Sequence, residues 1–300
     1  MVFLRPPGIA RWALLALSLV VGGCTGVFFQ PMRAHVQSPD DLGLVWRDVW
    51  FRTEDGILLH GWFLPAQGQS RGTVLFLHGN AQNISTHIGA VAWLPASGFS
   101  VFLFDYRGYG WSDGAPDLDG LHRDVDAALG TVLGHDAATP EGVDPQKVAV
   151  FGQSLGGSIA ITALARSPWR GEVRGLIVEG AFADYRRIAR EVLSRTWLTW
   201  PLQWPLSLLV DDRRSPEEEI AKIAPVPLLI IQGEADAIVA PAHAQDLWAA
   251  AGPPKALWLI PDAGHVGALA DPNVRRRFAD WLRLNLRYAD SGASRPPIPE

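Results

Sequence analysis

Across Val148-Ala149-Val150-Phe151-Gly152-Gln153-Ser154-Leu155-Gly156-Gly157-Ser158, a short apolar run meets G-x-S-x-G and then an alanine-rich stretch of helical character. The order reads as strand, sharp turn, helix. A serine at such a turn stands above the edge of a sheet on a strained backbone, with little room for side chains two residues to either side. Gly152 and Gly156 supply that room. The helix that begins after Ser154 aims its free N–H groups and positive dipole end at the space where an oxyanion would form. Ser154 is therefore the first candidate nucleophile.

The rest of the chain reads as the scaffold such a turn needs. Val45 to Thr53 and Ile57 to Leu64 are β-rich runs separated by Glu54-Asp55-Gly56, the pattern of a hairpin. Thr73 to Leu77 is a continuous apolar run, as expected of a strand buried on both faces. Ile84 to Ala96 reads as a helix, Phe99 to Phe104 as a buried strand, and Asp117 to Leu133 as a helix from its apolar spacing. Gly175 to Val178, Val226 to Ile231 and Ala256 to Ile260 read as further strands, and Ala242 to Ala251 and Asn273 to Leu286 as helices. Strand and helix alternate, which implies right-handed crossovers and a parallel α/β sheet covered on both faces. The alternation lapses over 181–225, a tryptophan- and leucine-rich stretch that reads as a helical insertion above the sheet. Trp197, Trp200 and Trp204 fall near one helical face and are candidates to line an acyl pocket, with packing on the core as the plainer alternative.

Two further residues end strands at the same sheet edge as Ser154. Asp236 follows the strand that ends in Ile231, and His265 sits in the loop after the last strand, giving the chain order Ser, Asp, His. In parallel α/β sheets the carboxyl ends of the strands share one edge, so these residues converge there. The histidine would take the Ser154 proton on one ring nitrogen while the carboxylate fixes the tautomer through the other. Glu179 also ends a strand and is the alternative acid. His35, His60, His87, His122, His135 and His243 show no metal-ligand spacing and read as surface or packing residues. No dinucleotide or phosphate loop is visible, so neither a metal nor another cofactor is expected.

Taken together, His78-Gly79-Asn80-Ala81, Asp105 to Ser112 (DYRGYGWS), Gly152 to Gly157, Gly233 to Val239 and Gly264-His265 resemble the α/β-hydrolase superfamily, in its serine-aminopeptidase-like and lysophospholipase-like branch. The resemblance covers nearly all of Val45 to Leu286. Asp236 is preferred to Glu179 as the acid because Gly233 and Val239 around it match the motif usual in this family. It implies a mostly parallel eight-stranded sheet with helices on both faces and a short helical lid, and an oxyanion hole formed by the N–H groups of Leu155 and Asn80. His78, Asp105 and Arg107 would shape the surrounding loops rather than act on substrate. One departure is Asp119 before Gly120, where the branch usually carries glutamate. The implied activity is hydrolysis of a small-molecule ester through an acyl-serine, with a peptidase or acyltransferase as runner-up and a non-enzymatic envelope binding protein as the reading from another class.

Composition adds compartment. Arg5 and Arg11 precede the apolar run Trp12 to Val21, and Val21-Gly22-Gly23-Cys24 follows, which resembles a bacterial lipoprotein signal with lipid on Cys24. The expected organisation is a signal over 1–23, a linker over 24–44, the hydrolase domain over 45–290 with its lid at 181–225, and a disordered tail over 291–300. The protein would then be held at a membrane of the bacterial cell envelope. An uncleaved N-terminal anchor is the alternative. The net charge is −5 with two arginines in the leader, so the body is more acidic still and nucleic acid is not an expected partner.

Overall fold

The computed structural model describes residues 29–287 except 196, 198, 209, 211 and 213. Cys24, the expected signal and the expected tail lie outside the described residues. The main sheet has eight strands: β1 (Arg47–Arg52), β2 (Leu58–Leu64), β3 (Thr73–Leu77), β4 (Ser100–Asp105), β5 (Val148–Gln153), β6 (Leu176–Glu179), β7 (Leu228–Gly233) and β8 (Lys255–Ile260). Their order is β1-β2-β4-β3-β5-β6-β7-β8. The β1–β2 and β2–β4 pairings are antiparallel and all others parallel. The Asp55-Gly56 turn does join an antiparallel pair, with Gly56 in the left-handed region at φ +83°.

Helices of ten or more residues cover both faces: α1 (Leu118–Val132), α2 (Leu155–Leu164), α3 (Tyr185–Ser194), α4 (Pro241–Ala250) and α5 (Pro272–Arg287). Side chains alternate across a strand, so each central strand feeds two cores. On β3, Leu75 and Leu77 join Leu129 of α1 and Ile159 of α2 on one face. Val74 and Phe76 join Phe278 and Leu282 of α5 on the other. This two-sided burial is why the strands are unbroken apolar runs in the sequence.

Two local expectations differ from what is observed. The stretch expected as one helix over Ile84 to Ala96 is a single α-turn at Ile84–His87 followed by 3₁₀ turns at Ile88–Ala90 and Pro95–Ser97. Gly89 lowers helix propensity there, and Pro95 cannot continue the ladder. The tryptophans at 197, 200 and 204 do not share one helix: Trp197 lies in a turn after α3, Trp200 opens a 3₁₀ turn and Trp204 sits in the short helix Gln203–Ser207. Pro201 is the second residue of its 3₁₀ turn and Pro205 the third of its short helix, both within a first turn, where the N–H has no intrahelical acceptor to lose. In addition, Gln30–Pro31 pairs in parallel with Ala81–Gln82, so part of the segment expected as linker is bound to the body.

Candidate active site

Ser154 sits at the turn between β5 and α2 with φ +53° and ψ −120°, outside the comfortable regions for a side-chain-bearing residue. A conformation of this kind costs of order 1–3 kcal/mol and persists only when its surroundings fix it. Its own N–H donates to Glu179 O at 2.8 Å, extending the β5–β6 ladder into the turn. The flanking glycines are required by contact. A Cβ on Gly156 would stand 2.2 Å from Leu77 O and 2.4 Å from His78 O, and one on Gly152 would stand 2.4 Å from Gly156 O. All three atoms are backbone, which cannot move aside.

The sheet edge then delivers two partners. His265 Nε2 lies 3.0 Å from Ser154 Oγ, and its Nδ1 lies 2.8 Å from Asp236 Oδ2. Asp236 Oδ1 accepts the N–H groups of Ile238 and Val239 at 2.8 and 2.9 Å, and Gln232 Nε2 donates to Oδ2 at 3.2 Å. Burial works to raise the Asp236 carboxyl; the His265 ring and the two backbone donors outweigh it and hold the group below its ordinary value. Asp236 is thus an ionised acceptor for a His265 Nδ1–H, which leaves Nε2 free to accept from the serine.

Glu179 lies close by but is committed elsewhere. Its oxygens accept from Gln153 Nε2 at 2.7 Å and Ala268 N at 2.9 Å, and burial pushes its carboxyl above the ordinary value despite those bonds. Geometry therefore brings Asp236, and not Glu179, to the histidine.

Leu155 is the first residue of α2, where helix N–H groups lack intrahelical acceptors. On the other side, the loop after β3 runs past the serine. A Cβ on Gly79 would lie 3.7 Å from Ser154 Cβ, and the next residue, Asn80, accepts the Tyr109 hydroxyl on its main-chain oxygen at 2.8 Å and on Oδ1 at 3.1 Å. His78 is fully buried, and burial lowers it to about 3, so its ring is neutral at physiological pH. Its Nδ1–H donates to Gly79 O at 2.7 Å. That is a loop-shaping bond and not proton transfer.

The DYRGYGWS loop is fixed by ion pairs. Arg107 Nε donates to Asp124 Oδ1 at 2.9 Å, and Nη1 and Nη2 donate to Asp55 at 2.9 and 3.1 Å. Asp119, the departure from the family pattern, pairs with Arg214 at 2.7 Å and so links the start of α1 to the insertion.

The lid tryptophans face outward. Trp197, Trp200 and Trp204 are 88%, 59% and 62% exposed, and the Arg190 guanidinium lies 4.7 Å from the centre of the Trp204 ring. Leu202 and Leu208 of the same stretch are also exposed. Arg195 ties the lid to the acid loop by donating to Ile238 O.

One cluster has no counterpart in the sequence reading. His35, His60 and Asp105 each offer a ligand atom within 4.8 Å of the others, the one such group of three His, Cys, Asp or Glu residues among the described residues. Each histidine already has an acidic partner: His35 Nε2 to Asp105 Oδ2 at 2.7 Å and His60 Nε2 to Asp48 Oδ1 at 2.6 Å. The register His60↔Asp105 across β2 and β4 creates half of the cluster, and a cross-strand register is not written in residue spacing.

The sheet order, the strained serine turn and the Ser154–His265–Asp236 alignment define a hydrolase scaffold, and the chain belongs to the α/β-hydrolase superfamily. Residues 68–215 match the family described as serine aminopeptidase, S33. The chain is 37% identical over 241 residues to the uncharacterized protein YfhR of Escherichia coli K12, covering 78% of this chain and 79% of that one. It is 33% identical over 227 residues to the alpha/beta hydrolase domain-containing protein WAV2 of Arabidopsis thaliana, covering 73% and 71%. Among solved structures it is similar in fold to the Pyrococcus furiosus esterase Pf2001, with a TM-score of 0.69 at 22% identity over 86% of this chain and 98% of that one. Family membership supports hydrolase activity on small-molecule substrates.

Proposed function

We propose that the protein is a serine esterase that works through an acyl-Ser154 intermediate. The observation that carries this reading is the unbroken line from Ser154 Oγ through His265 to Asp236, with bonds of 3.0 and 2.8 Å. His265 Nε2 takes the hydroxyl proton as Oγ attacks the ester carbonyl, and Asp236 steadies the imidazolium that forms. The developing oxyanion is met by the N–H groups of Leu155 and Asn80. Collapse of the tetrahedral intermediate expels the alcohol, which takes the proton from His265. Water, activated by the same histidine, then releases the acid and restores Ser154.

The similarity in fold to the Pyrococcus furiosus esterase agrees with this reading, while the match to the serine aminopeptidase family favours an amide. A panel of p-nitrophenyl esters of graded acyl length beside aminoacyl anilides separates the two. Turnover of esters alone, abolished in Ser154→Ala, supports the esterase; turnover confined to anilides replaces it with a peptidase. The lid tryptophans are assigned to the acyl side of the substrate, on the strength of their apolar surface and their place in the insertion after β6. Cys24 is assigned as the lipid attachment point at a bacterial envelope membrane, on the strength of the leader sequence; among the described residues no helix is long and apolar enough to cross a membrane.

A further inference from the structure

The segment that precedes the hydrolase body is bonded along its length to the loop that holds Asn80. Gln30 and Pro31 pair in parallel with Ala81 and Gln82, and Met32 N–H donates to Gln82 O at 3.0 Å. Asn83 Nδ2 donates to Met32 O at 2.9 Å and Ala34 O at 2.7 Å. Val36 N–H donates to Ser85 Oγ at 3.0 Å, and Gln37 Nε2 donates to Ser85 O at 2.6 Å. The same segment reaches the DYRGYGWS loop, where Gly110 N–H donates to Met32 O at 3.0 Å and Arg33 donates to Ser112 O.

His35 closes this set of contacts. Its Nε2 lies 2.7 Å from Asp105 Oδ2, and the other carboxylate oxygen accepts Ile84 N–H at 2.9 Å. One acid therefore links the arm to the far end of the Asn80 loop. The pair is close-fitted, since a Cβ on Gly110 would fall 1.8 Å from Asp105 Oδ2 and 2.7 Å from His35 Nε2. Trp111 stacks on the His35 ring with centroids 4.7 Å apart. Within the loop, Gln82 adopts φ +71°, a conformation that costs a residue with a side chain free energy and needs outside contacts to hold it. The arm supplies those contacts, at the two residues that follow Asn80.

We propose that residues 30–37 act as a clasp that sets the oxyanion donor of Asn80, with His35 as its positioning residue. The catalytic part of this proposal rests on the esterase reading above. An oxyanion donor earns its effect by being fixed before charge develops, and loss of one costs about 10²–10³ in kcat. A clasp that lets the loop wander should fall short of that full loss.

The test uses the full-length protein as wild type, His35→Ala and His35→Gln, the glutamine amide being able to donate to Asp105 from a similar reach. Three readouts are taken: kcat and KM on a p-nitrophenyl ester, affinity for a trifluoromethyl ketone that forms a tetrahedral adduct, and amide hydrogen exchange of 79–85. His35→Ala should lower kcat and ketone affinity about tenfold or more, leave KM within about twofold, and speed exchange in 79–85; His35→Gln should restore all three. If His35→Ala fails to fold, Gln37→Ala, which removes only the bond to Ser85, should move the same readouts in the same direction. Unchanged kcat, ketone affinity and loop exchange in a folded His35→Ala protein would overturn the clasp. So would equal losses in His35→Ala and His35→Gln that track melting temperature. A wild-type protein without ester turnover would count against the esterase reading, and the exchange readout would then still decide whether the arm fixes the loop.

Discussion

Replacing Asp236 by asparagine tests the proton path with almost no change in shape. Two backbone donors, Ile238 N–H at 2.8 Å and Val239 N–H at 2.9 Å, face Oδ1 and cannot turn away. They hold the amide oxygen of the asparagine at that position, which places its NH₂ where Oδ2 stood, 2.8 Å from His265 Nδ1. The amide then donates to Nδ1, and the imidazole must carry its own proton on Nε2. That N–H points at Ser154 Oγ and cannot accept from it. The expected loss in kcat is on the order of 10⁴, equivalent to about 5 kcal/mol of transition-state stabilisation. The assay is steady-state hydrolysis of a p-nitrophenyl ester by Asp236→Asn and Glu179→Gln, with melting temperatures to show that both are folded. Because Glu179 bonds Gln153 and Ala268 rather than the histidine, its substitution should cost far less. An Asp236→Asn enzyme within about tenfold of wild type, beside a crippled Glu179→Gln, would refute the assignment of the acid.

Other outcomes follow from the same geometry. Burial raises the Glu179 carboxyl in the fold, so its contribution to stability is complete below the unfolded glutamate value of about 4 and is lost as pH rises through the higher folded value. Wild type should therefore lose melting temperature relative to Glu179→Gln as pH is raised, and parallel pH profiles would contradict this. Alanine at Trp197, Trp200 or Trp204, all well exposed, should shift stability by no more than about 0.5 kcal/mol. At least one of these substitutions should raise KM for long acyl esters more than for acetate, since each buried CH₂ contributes about 0.8 kcal/mol; equal effects on both would place the acyl pocket elsewhere. Metabolic labelling with a clickable palmitate should mark wild type and not Cys24→Ala, and an unlabelled wild type of full length would favour a plain anchor.

What the sequence discloses is what each residue must satisfy locally. Strands buried on both faces appear as apolar runs, and the serine turn appears as a strand, two glycines and a helix, because backbone crowding at Gly152 and Gly156 excludes every larger residue. The chain order of Ser154, Asp236 and His265 is likewise legible once the strands are placed. Two carboxylates at one sheet edge are a different case. Asp236 and Glu179 both end strands, and only the observed bonds show which of them meets the histidine. The arm over 30–37 was illegible for a related reason: its two-residue pairing with 81–82 joins segments about fifty positions apart and leaves no periodic pattern. The lid illustrates a third limit. Helical spacing of three tryptophans suggests one face, but the stretch is broken into a turn at Trp197, a 3₁₀ turn that holds Trp200 and Pro201, and a five-residue helix that holds Trp204, and all three rings are exposed.

The central claim is that Ser154 is the nucleophile, and the most direct measurement of it is covalent capture. The protein is treated with a fluorophosphonate probe, and the modified residue is mapped by peptide mass spectrometry in wild type and Ser154→Ala. A single adduct on Ser154, absent from a folded Ser154→Ala protein that has lost turnover on the order of 10⁴-fold or more, is the predicted result. Labelling that persists in Ser154→Ala, or an adduct mapped to another residue, would contradict it.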